Sequence, residues 1–262
     1  MTKEQIQEIQ AAFNKFQKSR ERAYTPVINK ALKFQVNQFI AAKLLGYTDT
    51  QALEFVTSAK LYEALKPLYL DAGITYGAKH LTYLKRQKAR MPIGFNQLMT
   101  DLLNNYFLVE LLNTVEDITG YTKELIRNIL LKAVPLGLSI GEITEQLQDI
   151  GFTYQRARTI ARTETVTAAN VGAMLSVKTT GLNLRKVWIS ATDNRTRRRP
   201  RDKYDHLHMN GVVVGYDELF NVSGDLMAQP GDRKHKANAG NIINCRCTIG
   251  FEPIRDKYGK LT

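Results

Sequence analysis

Cysteine is nearly missing from this chain: Cys245 and Cys247 are the two thiols in 262 residues. One residue apart, they cannot build the cross-linked framework of a small secreted scaffold, which points to a reducing compartment. Long apolar runs are missing too. No stretch approaches the roughly 18 uncharged apolar residues that a membrane-spanning helix needs. The opening MTKEQIQEIQAAFNKF is charged and amphipathic rather than basic and then apolar, so neither a membrane span nor a secretory leader is expected. The signatures of much nucleotide, metalloprotease and serine-hydrolase chemistry are also absent, since the chain has no GxxxxGK(S/T), GxGxxG, HExxH or GxSxG.

What is present is a globular composition, 44% hydrophobic and 24% charged, with a formal net charge of +12. Such a charge calls for a polyanion or an acidic partner and says nothing about fold. It is unevenly spread. From residue 153 to 262 there are 19 Lys and Arg against 10 Asp and Glu, so nine of the twelve net charges lie there. The densest run is DNRTRRRPRDK, which holds Arg195, Arg197, Arg198, Arg199, Arg201 and Lys203. Arg side chains bind phosphate through charge-assisted, often bidentate hydrogen bonds, and a basic loop of this kind predicts sequence-independent, salt-sensitive contact with double-stranded DNA. The alternative is a solvated loop.

The first half of the chain reads as successive helices. Thr2 with Gln5 is a capping box, followed by Ile6, Ile9, Phe13 and Phe16 at helical spacing. Thr25-Pro26 reads as the start of a second helix running to Gly46. A third is expected over 48–86, broken near Pro67, with further helices over 95–115 and 122–134. Ser139 with Glu142 caps a short helix to Ile150, and a long helix follows from 153 to Gly181, with Ile160, Val166, Ala169, Ala173 and Val177 near one stripe. Beyond it come short β-like runs, RKVWISAT, GVVVGY and NIINCRCTIGF, between loops rich in Gly, Asp, Asn and Pro. The expected fold is α+β: a mostly helical region over 1–151, then a compact domain with a small antiparallel sheet over 152–262.

The candidate chemical groups lie in the second part. Cys245 and Cys247, at i and i+2 of a strand, would face the same side. With His206 and His208, which share that spacing, they make a two-Cys, two-His zinc site conceivable, although structural zinc pairs usually have two to four residues between ligands. The alternatives are packing cysteines, or a Cys nucleophile with His206, His208 or His235 as its base. Arg162 and Glu164, mid-helix, suit a buried salt bridge or hydrogen bond. Asp193 and Asp232 suit turn capping.

The order of these signals resembles a known family. ARTET in the long helix, KVWISATDNRTR, HLHMNG with its Val-rich run, QPGD and finally INCRCT together resemble the phage Mu F-like, SPP1 gp7-like family of minor head, or head morphogenesis, proteins, over roughly 152–253. The resemblance carries a motif set of Arg162, Glu164, Trp188, Asp193, His206, Gly211, Pro230, Asp232, Asn244, Cys245, Arg246 and Cys247, read as structural, with Asn244–Cys247 as the last strand of the domain. This sequence departs from the family by an insertion, RRRPRDKYD, before His206. The resemblance implies no established enzyme activity and no cofactor. It implies a virion component inside the capsid near the portal, made in the host cytoplasm, with portal or capsid protein as partner and a part in head assembly, DNA packaging or ejection. Helices 1–151 would dock and the basic loop would meet DNA. The competing expectation is a metal- or Cys-dependent hydrolase or transferase acting on nucleic acid or protein.

Overall fold

The computed structural model describes residues 1–85, 92–136, 138–150 and 154–261. Its order is α1 (Lys3–Leu44), α2 (Asp49–Glu54), α3 (Ala59–Lys85), α4 (Phe95–Ala133), a 3-10 turn at Val134–Leu136, α5 (Ile140–Ile150) and α6 (Tyr154–Lys178). Then come β1 (Leu184–Ile189), β2 (Val213–Gly215), β3 (Phe220–Val222), β4 (Asp225–Met227), α7 (Ala239–Ile242) and β5 (Thr248–Pro253). Long helices followed by small antiparallel sheets make an α+β protein. No described helix is long and apolar enough to cross a membrane.

Both predicted capping boxes form. Thr2 Oγ1 accepts the Gln5 N–H at 3.2 Å while Gln5 Oε1 accepts the Thr2 N–H at 2.8 Å. Ser139 and Glu142 do the same at 3.3 and 2.8 Å. The helix breaks differ from expectation. α1 runs unbroken through Pro26, and α3 through Pro67. Proline removes one backbone bond, but Pro26 is exposed while Ile28, Leu32, Val36 and Phe39 beyond it are buried, so packing outweighs the local penalty. The break expected at Pro67 falls instead between α2 and α3, and a third capping box, Thr48 with Gln51, opens α2. α4 is likewise one helix where two were expected. Thr119 and Thr122 donate their hydroxyls to the carbonyls of Val115 and Ile118, four residues back, at 2.6 and 3.1 Å. Hydroxyls that would otherwise open a new helix are thereby satisfied inside the old one.

The described chain divides into two compact units: Met1–Glu21, Leu68–Tyr106 and Arg162–Thr262 form one, Arg22–Pro67 and Phe107–Ala161 the other. The boundary expected at 151–152 falls on residues outside the described set. The second unit is all helical, with a buried polar knot in which the Gln35 side-chain amide donates to Thr119 Oγ1 at 2.7 Å and accepts from Thr122 Oγ1 at 3.0 Å.

The first unit carries both sheets. β2, β1 and β5 form a three-stranded antiparallel sheet in that order, with Trp188 opposite Ile249. β3 and β4 form a hairpin, which the sequence reading missed. α6 is the central element: every residue from 162 to 173 is buried, so over this stretch the expected single apolar stripe is instead a helix enclosed on all sides. Its small residues permit this. A Cβ at Gly172 would come within 2.1 Å of the Gly73 carbonyl oxygen, which shows how closely the backbones of α6 and α3 approach.

Candidate functional site

An enclosed helix that carries polar residues must satisfy most of them internally, and α6 does so by gripping the loops of the sheet region, the buried Thr165 hydroxyl being the exception. Arg162 makes a two-pronged ion pair with Glu21, Nε to Oε2 at 2.8 Å and Nη2 to Oε1 at 3.0 Å, and also donates to Asn244 Oδ1 at 2.5 Å. Thr163 Oγ1 accepts the Asn244 N–H at 2.9 Å. Glu164 accepts from the Tyr69 hydroxyl at 2.5 Å and from Arg233 at 2.7 Å. Thr167 donates to the Gly231 carbonyl at 3.1 Å, and Asn170 donates to the carbonyls of Pro230 and Cys247 at 3.2 and 3.3 Å. One helical face therefore holds the Pro230–Asp232 turn and the segment entering β5.

Asn244–Cys247 is not a strand, contrary to expectation. It lies between α7 and β5, with Asn244 at φ +62°. Asn244 spends its hydrogen bonds on Arg162 and Thr163 rather than on a neighbouring strand, and asparagine tolerates that left-handed geometry better than most residues. Cys245 and Cys247 nevertheless face the same way. Both are buried and form no disulfide, and the His206 imidazole lies against them, Nδ1 being 3.5 Å from Cys245 Sγ and 3.6 Å from Cys247 Sγ. The hydrogen bond from Cys247 draws the Cys245 thiol down to about 7, with Arg197 and Arg246 adding to the effect against its burial. Cys247 is pushed up by that same contact and by burial. His208, the fourth predicted zinc residue, is exposed and stands outside this group.

The remaining motif residues brace the same region. Both terminal guanidinium nitrogens of Arg246, Nη1 and Nη2, bind the Asp193 carboxylate, whose pKa the Arg246 hydrogen bond holds well below the usual carboxylate range. Asp232 accepts hydrogen bonds from the Ala228 N–H and from the His235 ring Nδ1, each at 2.6 Å. Trp188 is fully buried and meets the rings of His206 and Phe220 edge-on. Gly211, at φ +84°, returns its N–H to the Trp188 carbonyl at 2.8 Å.

The basic loop is more structured than a free polycation. Arg201 donates to the carbonyls of Asn194 and Thr196 and to Asp202, and Arg197 donates to the Ile243 carbonyl. Arg195 lies 3.8 Å from Asp193. Arg198 and Arg199 give their backbone N–H groups to Asp202 and Asp205, and the Arg199 side chain is exposed. Lys203 is exposed, its ammonium 5.3 Å from the Tyr204 ring centre.

Sequence reasoning missed Lys186, Asn170 and Asn241. Lys186 is 1% exposed on β1, donates to the Ala228 carbonyl at 2.9 Å, and is lowered to about 8 by burial. Nothing in the alternation of RKVWIS marks it as an inward-facing cation.

Residues 124–250 match the Phage Mu protein F like family. Among relatives, the chain is 27% identical to the minor head protein GP7 of Bacillus phage SPP1 over 251 residues, covering 92% of this chain and 75% of GP7. It is 29% identical to the uncharacterized protein YqbB of Bacillus subtilis (strain 168), over 52% of this chain and 43% of that one. It is also 27% identical to the NAD(+)--arginine ADP-ribosyltransferase EFV of Enterococcus faecalis (strain ATCC 700802 / V583), over 58% of this chain and 32% of that one. The chain thus spans less than half of YqbB and about a third of EFV. No solved structure matches it.

Proposed function

We propose that the protein is a bacteriophage minor head protein, a virion component held inside the capsid near the portal, which acts in head assembly and in DNA packaging or ejection. The observation that carries this reading is the similarity along 92% of the chain to the minor head protein of phage SPP1. In this reading the helices of 1–151 bind the portal or capsid shell, and the 152–262 domain turns its basic loop, Arg195 to Lys203, toward packaged duplex. The test is a comparison of particles made with and without the protein. Quantitative mass spectrometry is expected to find it as a minor component of wild-type particles, recovered with the portal when shells are disrupted. Particles that contain no copy of it, with normal yield of filled heads when its gene is silenced, would sink the proposal.

A transferase is the second reading, favoured by the match to EFV and by the contact of Cys245 with His206. Incubating the purified chain with labelled NAD and a panel of arginine-bearing proteins separates the two. Protein-bound label that disappears on Cys245→Ser, in a variant that still folds, would favour the enzyme.

A further inference from the structure

The head role leaves one feature of the molecule unused. His206 Nδ1, Cys245 Sγ and Cys247 Sγ lie within 4.8 Å of one another, on residues no more than 2% exposed. Zinc bonds of about 2.3 Å to sulfur and about 2.0–2.1 Å to imidazole nitrogen, held at a tetrahedral angle, put sulfur and nitrogen roughly 3.6 Å apart. The two S···N spacings here are 3.5 and 3.6 Å.

The imidazole is also oriented for such a role. Asn241 uses its amide N–H groups on the Val222 carbonyl at 3.1 Å and on Asp225 at 2.7 Å, so its Oδ1 is the atom that meets His206 Nε2, at 2.9 Å. Nε2 must then carry the proton, and Nδ1 points its lone pair at the sulfurs. An outer chain of His, amide and carboxylate is the support that metal-binding histidines commonly have. Both sulfurs stand at nearly equal distance from that lone pair, the arrangement that a central ion shared by all three atoms requires. Two thiolates, a neutral imidazole and a divalent cation carry no net charge, so the assembly avoids the cost of burying an unpaired charge. Sulfur and imidazole donors in a compact set suit zinc among common ions.

We propose that His206, Cys245 and Cys247 are three protein ligands of a zinc ion, with the fourth tetrahedral position left to water or a small anion. The ion ties the end of the 195–205 basic segment to the chain entering β5. Because these three ligands come together only in the folded chain, the free energy of binding the ion adds to the stability of the fold.

The test uses the full chain, made without a histidine tag, dialysed against zinc and then freed of loose metal by gel filtration. Elemental analysis is expected to find about one zinc per chain, falling to background in Cys247→Ser and His206→Leu and retained in His206→Cys. Exchange of the ion for cobalt is expected to produce the near-ultraviolet thiolate-to-cobalt charge-transfer band of a tetrahedral site. That spectrum needs only the wild-type chain, so it decides the matter even where the variants do not fold. Background zinc in the reconstituted wild type, zinc retained in both Cys245→Ser and Cys247→Ser, stoichiometric copper or iron in its place, or cobalt bound without a thiolate band would each overturn the proposal. None of these readouts depends on whether the protein is found in virions.

Discussion

At the scale of single residues, the tightest constraint is steric. An alanine at Gly172 would drive its Cβ into Gly73, 2.1 Å from the carbonyl oxygen and 2.4 Å from the Cα, so two helix backbones would have to separate. Gly172→Ala is expected to lower unfolding free energy by about 3 kcal/mol, the upper end of ordinary overpacking. Gly120 is the contrast: it is exposed inside α4 with open space around its Cα. Gly120→Ala is expected to raise stability by about 0.5–1 kcal/mol through helix propensity, and urea midpoints of the two variants would show the opposite signs. A second residue-scale effect depends on pH. His80 sits between the rings of Tyr76 and Phe251, with Lys79 beside it, and burial followed by the Lys79 charge lowers its pKa from 6.5 to about 3. Below 6.5 the unfolded chain takes up a proton that folded His80 refuses, so this group makes stability fall as pH drops from 6.5 toward 3. Relative to wild type, His80→Leu is expected to cut the stability lost between neutral pH and about pH 4.5 by on the order of 2 kcal/mol, read from denaturant melts at the two pH values. Sequence pattern showed neither effect, because both depend on what stands opposite in space.

At the scale of elements, cap chemistry was legible and interior breaks were not. Thr2 with Gln5 and Ser139 with Glu142 are local devices whose partners lie three residues apart. Pro26 was misleading because helix continuation depends on tertiary burial of Ile28, Leu32, Val36 and Phe39. Proline costs about 3 kcal/mol relative to alanine in a helix interior, partly offset by its restriction of the unfolded chain. Pro26→Ala is therefore expected to stabilise the protein by about 2 kcal/mol, seen as a higher thermal midpoint with helical circular dichroism unchanged. A helix that truly began at Pro26 would show little or no gain. The central helix is the clearest case of hidden information. ARTETVTAAN looks like a mediocre amphipathic segment, yet Arg162, Thr163, Glu164, Thr167 and Asn170 each have a hydrogen-bond partner from a distant part of the chain.

At the scale of the whole molecule, charge becomes the argument. The net +12 favours a polyanionic partner, and each phosphate contact contributes roughly 0.9 to the slope of log affinity against log salt. Arg197 and Arg201 are committed to loop carbonyls, whereas Arg199 is exposed. If the loop contacts duplex, Arg198→Ala combined with Arg199→Ala is expected to reduce that slope by about 2 while leaving the melting curve intact. Arg201→Ala is expected to weaken DNA binding and also to loosen the loop, seen as faster amide exchange over 194–202. An unchanged salt slope in the double variant would remove DNA from the partners of this loop.

The sequence by itself determined the α+β class, the helical first half, two capping boxes, the basic run and the family motifs. Each is written in short-range spacing, composition or ordered local words. Only the tertiary structure decided that α1, α3 and α4 run through their apparent breaks, that α6 is enclosed on every side over 162–173, and that His206 meets Cys245 and Cys247 while His208 does not. The reason is range. Residues 206 and 245 are brought together by β1, the turn at Gly211 and the grip of Asn170 and Thr163 on the closing segment, and no periodicity along the chain records a contact that several elements must fold to create.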